Sequence, residues 1–184
     1  MFLFIGLGNP EEKYKETRHN IGRELLQEWQ KKENFAGFEF DKKLDALVSK
    51  NKNAVLLLPE TYVNKSGNAV APAVRIYKIK PKDVIVVHDD ADIELGRAKL
   101  TYNRSSAGHK GVDSARRALK TEAFWRLRIG IQKKKRVEAM KLVLQKFSPV
   151  EQAALKKLRK KIFSGLKLIL EKGPEIAMNE VNRN

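Results

Sequence analysis

Phe4-Ile-Gly-Leu-Gly-Asn-Pro-Glu-Glu-Lys-Tyr-Lys-Glu-Thr-Arg-His-Asn-Ile-Gly22 is the stretch whose reading decides the fold. Met1 to Leu7 is short and apolar and is closed by Gly8-Asn9-Pro10, the pattern of a buried strand running into a turn. From Asn20, Ile21, Leu25, Leu26 and Trp29 recur on one helical face, with Glu24, Glu28 and Lys31 on the other. A strand, a polar turn and an amphipathic helix in succession predict an α/β unit, with a ligand site where the strand ends. His19 stands just before the helix. The positive helix end disfavours its imidazolium, so a neutral ring able to accept a proton is expected.

Outward from this unit the pattern repeats. Ala46 to Ser49 and Ala54 to Leu58 flank a Lys-Asn-Lys-Asn turn and predict a hairpin. A polar loop, Pro59 to Gly67, follows. Ala69 to Tyr77 returns to helical spacing with Pro72 near its first turn, and Pro81 closes the connection. Val84 to Val87 is a β-branched central strand expected to end at His88-Asp89-Asp90-Ala-Asp92. Arg97 to Tyr102 reads as a strand carrying Lys99, and Asn103 to Gly111 as a loop opening a helix at about Val112. Arg126 to Ile131 alternates basic and apolar residues, as a half-buried strand does. Ser148, Pro149 and Glu151 form a capping box before a helix to about Lys172 that buries Leu155, Leu158, Ile162, Leu166 and Ile169. No linker or repeat interrupts residues 1–184, so a single domain is expected.

Composition narrows the function. The 184 residues contain no cysteine, which excludes disulfides, thiolate metal sites and thiol nucleophiles. No apolar run reaches the roughly 20 residues that span a bilayer, and no signal-peptide pattern opens the chain, so a cytoplasmic location is expected. The net charge of 38 − 22 = +16 is one-sided: residues 1–95 hold 15 basic and 15 acidic side chains, residues 96–184 hold 23 and 7. Such a field favours a polyanionic partner; the alternative is lysines that merely solvate helix faces.

The candidate chemistry has several readings. Gly6-Leu-Gly-Asn-Pro10 resembles the start of a dinucleotide fingerprint but lacks its third glycine and has proline where the helix should open. His88-Asp89-Asp90-Ala-Asp92 fits a divalent cation site, a carboxylate that orients a histidine, or a turn of solvated aspartates. With three histidines and no Ser or Cys in a nucleophile motif, a histidine that activates water is the better-supported chemistry.

Five spaced motifs then coincide with one family. Gly6-Leu-Gly-Asn-Pro10, Tyr14, Thr17-Arg-His-Asn20 and Gly22 resemble the opening signature of bacterial-type peptidyl-tRNA hydrolases. Thr61-Tyr-Val-Asn-Lys-Ser-Gly67 is similar to the second motif, His88-Asp89 with Asp92 and Gly96 to the third, Gly108-His109 with Gly111 to the fourth, and Arg126-Leu-Arg-Ile-Gly-Ile131 to the fifth. The resemblance implies one α/β domain with a mixed, twisted β-sheet sandwiched between α-helices. It implies hydrolysis of the ester between a peptide and the 3′-terminal ribose of tRNA, without cofactor or metal, by a monomer. His19 would be the general base and Asp89 its partner. Asn9 and Asn64 would hold the peptide and the reacting ester, and Tyr14 would lie near the terminal nucleotide. Lys99, Arg104, Arg128 and Lys133 would contact tRNA phosphates.

One motif departs from the pattern. Lys110 stands where the family normally has Asn, so a donor with a fixed charge replaces a group that also accepts. Lys110 is expected to contact an anion of the substrate and, if close to His19, to depress that ring's pKa. A second reading follows from it: a tRNA-binding protein of the same fold whose catalysis is impaired. Glu11, where the family commonly has Gly, and Gln132 beyond the fifth motif are loop differences.

Overall fold

The computed structural model describes residues 1–183. Seven strands form one mixed sheet in the order β2-β3-β4-β1-β5-β7-β6. They are β1 (Phe2–Gly6), β2 (Glu39–Asp41), β3 (Ala46–Lys50), β4 (Ala54–Pro59), β5 (Val84–Glu94), β6 (Ala98–Tyr102) and β7 (Trp125–Gln132). The central pairs β4/β1, β1/β5 and β5/β7 are parallel, and the outer pairs are antiparallel. The helices are α1 (Ile21–Lys32), α2 (Gly67–Ile76), α3 (Lys110–Leu119), α4 (Ala139–Leu142), α5 (Pro149–Lys172) and α6 (Pro174–Asn182).

Strand alternation divides the core into two layers, because neighbouring residues point to opposite faces. Phe4, Ile85, Val87, Leu127 and Ile129 pack with α1, α5 and α6. Leu3, Ile5, Val84, Val86 and Leu57 pack with α2 and α3 on the other face. The sheet is therefore sandwiched between helices, as the family resemblance implies. All five predicted α5 residues are buried, each contributing about 1.5–3 kcal/mol. The Ser148 capping box is formed with Pro149 in the first turn.

Three expectations need correction. β5 does not stop at Val87: it runs on through His88, Asp89 and Asp90, because β7 pairs with it from Ile85↔Trp125 to Asp90↔Gly130. Asp89 and Asp90 are thus ladder residues rather than members of a solvated turn, while Asp92 is exposed where the register shifts. β7 is not half-exposed either. It lies between β5 and β6, and Arg126 is only 2% accessible. Helix α2 begins at Gly67, so Pro72 lies in its interior rather than near its first turn. Strand β2 and helices α4 and α6 carry no clear sequence signal. The amide of Asn182 in α6 meets the edge strand β6, accepting from the Leu100 N–H at 2.7 Å and donating to its carbonyl at 3.0 Å.

The approach of α1 to β5 sets the position of the residues just before α1. A Cβ on Gly22 would lie 2.1 Å from the Val87 carbonyl oxygen, and backbone cannot yield as a side chain can. Gly22→Ala is expected to destabilise the fold by about 2 kcal/mol or more. Gly37→Ala, with nothing within 4 Å of its Cβ position, should stay within about 0.5 kcal/mol of the parent. Denaturant midpoints of the two variants check this, and equal midpoints would contradict it.

Candidate active site

The 17–19 segment is held in place from several directions. Thr17 bridges to Lys146, Arg18 N–H donates to the Gln145 carbonyl at 3.0 Å, and His19 N–H donates to the Val143 carbonyl at 2.9 Å. The Arg18 guanidinium is fully buried. Its Nη2 meets both Glu151 oxygens at 2.8 and 2.7 Å, Nη1 donates to the Ile131 carbonyl at 3.1 Å, and the Phe147 ring lies 4.6 Å away. Burial opposes ionisation of Glu151, but hydrogen bonds from Arg18 and Ser148 hold its carboxyl below the usual range. The capping residue of α5 therefore also anchors the strand of chain beside His19.

His19 meets Asp89 from this position, Nδ1 to Oδ1 at 2.8 Å. His109 reaches the same oxygen through Nε2 at 2.9 Å. The tautomers follow from the other contacts. His109 Nδ1 accepts from the N–H groups of Gly111 and Val112, capping α3, so its proton sits on Nε2 and is donated to Asp89. His19 donates from Nδ1, which leaves Nε2 as a free acceptor. His88 donates from Nδ1 to the Asp89 carbonyl at 2.6 Å, and its Nε2 is buried without a partner. Burial, reinforced by His109, holds the pKa of His88 well below 6.5 and the ring neutral.

Asp89 is 2% accessible. Burial alone would raise its pKa, but His109 and His19 outweigh it and hold the carboxyl far below the usual range. The result for His19 reverses the expectation from the helix end. Burial lowers its pKa, yet the Asp89 charge and hydrogen bond together prevail, so the value is raised above 6.5. Lys110 is not among the causes.

A hollow of about 430 Å³ opens in front of this pair, lined by His19, Asp89, His109, Lys110 and the apolar side chains of Met140 and Leu144. A second hollow is lined by Asn9, Tyr62, Val63, Asn64, Lys65 and Lys110. Lys110 borders both. Asn9 is positioned by a reciprocal bond pair: its N–H donates to Asn20 Oδ1 and its carbonyl accepts from Asn20 Nδ2, both at 2.9 Å. Its Oδ1 accepts from Val63 N–H at 2.9 Å. With Oδ1 so engaged, the side chain of Asn9 has its Nδ2–H groups to offer as donors, rather than the donor and acceptor its type allows. Asn64 is exposed.

The remaining predicted residues line neither hollow. Tyr14 is half-buried beneath the Lys13 ammonium, 5.0 Å from its ring centre. Lys99 and Arg104 are exposed. Arg128 is engaged by Asp90 at 2.7 Å, and Lys133 donates to Gln145 Oε1 at 3.0 Å. Arg126, on the same sheet face as Arg128, has Nε and Nη1 buried without partners. Burial, then Arg128, lower its pKa to about 10.

A family model described as Peptidyl-tRNA hydrolase matches residues 3–184. The Peptidyl-tRNA hydrolase of Aquifex aeolicus (strain VF5) is 40% identical over 185 residues, covering 98% of this chain and 96% of that protein. The one from Thermodesulfovibrio yellowstonii is 37% identical over 189 residues, with 100% of both chains covered. A crystal structure of an arginine-to-glutamine mutant of Peptidyl-tRNA Hydrolase from Acinetobacter baumannii superposes with a TM-score of 0.91 at 31% identity, covering 99% of this chain and 94% of that one. The chain belongs to the peptidyl-tRNA hydrolase family.

Membership gives the motif residues their setting, and the structure adds two groups that reading the motifs did not single out. His109 was legible only as a motif position; its role as second partner of Asp89 depends on the α3 N-terminus reaching β5. Arg18 and Glu151 are 133 residues apart, and nothing local pairs them. His19, Asp89 and His109 also offer ligand atoms within 4.8 Å of one another, the geometry a metal could use. Here both ring nitrogens approach one oxygen at hydrogen-bond distance, with Nε2 of His109 protonated, whereas a zinc-type centre needs each of the three atoms about 2.0–2.2 Å from the ion.

Removing the Asp89 charge leaves His19 with the desolvation that opposes protonation. Asp89→Asn is therefore expected to bring the His19 pKa from above 6.5 to below it, read from ring-proton NMR titration. A value that stays raised would contradict the electrostatic account. The sign for stability follows: in the parent, the proton preference of His19 stabilises the fold below the unfolded pKa, and that contribution is lost as pH rises through the higher folded pKa.

Proposed function

We propose that this chain hydrolyses peptidyl-tRNA at the ester between the peptide carboxyl and the terminal ribose, releasing tRNA for reuse in translation. The observation that carries the reading is the pairing of His19 Nδ1 with the buried Asp89, which leaves Nε2 free on a ring that lines the hollow. Nε2 takes a proton from water as the oxygen attacks the ester carbonyl. The negative charge that develops on the carbonyl oxygen meets the Nδ2–H of Asn9 as donor, with Asn64 beside it. Collapse of the tetrahedral adduct breaks the bond to the ribose oxygen, which recovers the proton from the imidazolium. Asp89 holds the tautomer and stabilises the charged ring without itself being protonated.

His109 serves as a positioning residue for Asp89. Tyr14 would meet the terminal nucleotide from the loop before His19. Lys99, Arg104, Arg128 and Lys133 would serve the tRNA phosphates, and the two exposed residues, Lys99 and Arg104, are better placed for this than the two already engaged. Phosphate contacts suit an enzyme that must accept many tRNA sequences. We assign the protein to the cytoplasm as a monomer that works without metal or cofactor. No helix among the described residues is long and apolar enough to cross a membrane. The impaired-binder reading gains nothing from the geometry: Lys110 is exposed and leaves the His19–Asp89 contact intact.

Turnover of a peptidyl-tRNA analogue tests this. His19→Ala should lower kcat about 10²–10⁴-fold while tRNA binding persists, and an undiminished rate would sink the reading. In the parent, kcat/KM should rise with pH through a His19 pKa above 6.5, because only the neutral ring accepts a proton. Lys99→Gln and Arg104→Gln should each raise KM with little change in kcat, and each should reduce the salt slope of binding by roughly 1. An unaltered slope would remove that residue from the phosphate contacts.

A further inference from the structure

The turn that carries His19 has little of its own to hold it. Arg18–Asn20 is a three-residue 3₁₀ helix whose N-cap, Thr17, makes no side-chain capping bond. The turn is fixed instead by contact with residues 143–146: Thr17 bridges to Lys146, Arg18 N–H donates to the Gln145 carbonyl, and His19 N–H donates to the Val143 carbonyl. That second segment is only the connection between α4 and α5. Two short connections that merely pair with each other can shift as a unit.

Glu151 ties both of them to α5. Its Oε2 accepts from the Ser148 N–H at 2.8 Å, which closes the capping box and fixes the end of the 143–148 connection. The same oxygen accepts from Arg18 Nη2 at 2.7 Å, and Oε1 accepts from that nitrogen at 2.8 Å. Arg18 adds a further fixed point, because its Nη1 donates to the Ile131 carbonyl in β7 at 3.1 Å. A capping box is complete without Arg18, since its two bonds run between Ser148 and Glu151 alone. The carboxylate therefore has a second task that the cap does not require.

Stability does not account for that task. The guanidinium of Arg18 is fully buried, and its Nε has no hydrogen-bond partner among the described residues. A buried ion pair gives little net stability relative to apolar side chains of similar volume, because both charges lose their water. What it supplies is geometry, since a planar fork bonded at both ends resists displacement of the chain that bears it. The next residue is His19, whose Nδ1 lies 2.8 Å from Asp89 Oδ1.

We propose that Arg18 and Glu151 are positioning residues for the hydrolysis: the pair holds the His19 turn where the imidazole meets Asp89, and its loss slows turnover by displacing that ring. The inference rests on the hydrolase reading above. Neither side chain lines either hollow, so both act through His19 rather than on the substrate. A misplacement of about 1 Å costs about 10²-fold in rate. A longer contact with Asp89 also weakens the charge and hydrogen bond that raise the His19 pKa.

The test uses Arg18→Met/Glu151→Gln, a paired variant that strands no buried charge and keeps the capping box, because glutamine serves at that position. It removes one charge of each sign, so a shift of the His19 pKa reports the distance to Asp89 rather than a change in net charge. Arg18→Lys is measured alongside, since it keeps the charge and loses the fork. Ile162→Val, in the buried face of α5, is the control for lost stability. For each protein, kcat and KM are measured on a peptidyl-tRNA analogue under conditions where denaturation curves show it folded, and the His19 ring is titrated by NMR.

The paired variant should lose about 10- to 100-fold in kcat with KM within about twofold of the parent. Its His19 pKa should fall from the raised value toward 6.5 or below. Arg18→Lys should move both quantities in the same direction, and Ile162→Val should move neither. A loss of kcat no greater than that of Ile162→Val, or an unshifted His19 pKa, overturns the inference, as the pair would then only hold the fold. If the paired variant does not fold, Arg18→Lys decides by the same two readouts. A parent that fails to cleave the analogue removes the hydrolase reading and this inference together; a parent that cleaves it, with variants that match it, removes this inference alone.

Discussion

A carboxylate with 2% of its surface accessible stays ionised only if donors replace the water it has lost, and Asp89 has two imidazole N–H groups on one oxygen. Each ring arrives from a different part of the chain. His19 comes from the turn before α1, and His109 from the first residue position outside α3. The carboxylate itself sits in the interior of β5, where the parallel ladder with β7 fixes its height and direction. The contact is reciprocal in effect: the charge fixes both tautomers, and the rings keep the charge. A free Nε2 on His19 is a consequence of this arrangement rather than a separate device.

The scaffold is correspondingly rigid around it. Leu7 N–H donates to the Val87 carbonyl and the Leu7 carbonyl accepts from Arg23 N–H, both at 3.0 Å, so β1, β5 and α1 are laced together within one turn of the site. Asn20 clasps Asn9 from the other end of the same loop. The Arg18–Glu151 pair then joins this loop to the first turn of α5. Such a buried pair is weak evidence for net stability, since its desolvation cost is large. Its value is geometric, because one planar guanidinium holds Glu151 through Nη2 and the Ile131 carbonyl through Nη1, tying α5 and the end of β7 to the segment beside His19.

Much of the scaffold was legible because it obeys local rules. The strand-turn-helix opening, the β3–β4 hairpin, and the capping box with the apolar stripe of α5 each depend on residues a few positions apart. His19 and Asp89 were legible as members of spaced motifs rather than as strand-end groups, since Asp89 lies inside the β5 ladder. What could not be read depends on pairing at long range. The extension of β5 through three polar residues follows from β7 lying alongside it, and the same neighbour buries Arg126, whose alternation with apolar residues otherwise predicts exposure. The sign of the His19 shift was missed for a related reason: the helix end is a local feature, whereas the Asp89 charge is 70 residues away in sequence and stronger. Short elements such as β2 and α4 carry too few residues for a period to register.

The +16 net charge also divides by residue type in a way that bears on function. Arg18, Arg23, Arg116, Arg128, Arg136, Arg159 and Arg183 all pair with carboxylates. Lys99, Lys134, Lys135, Lys156, Lys157, Lys160 and Lys167 are exposed, with no ion-pair partner among the described residues. The division follows from chemistry. A planar guanidinium forks onto a carboxylate and tolerates partial burial, while an ammonium on a flexible stem stays hydrated. Most of the paired cations are therefore arginines, and the free field at the surface combines these lysines with Arg75, Arg97, Arg104 and Arg117, which are exposed and have no ion-pair partner among the described residues. A hydrated, mobile cation binds phosphate as a point charge with little demand on geometry. That is the form of attraction suited to a partner recognised by its backbone.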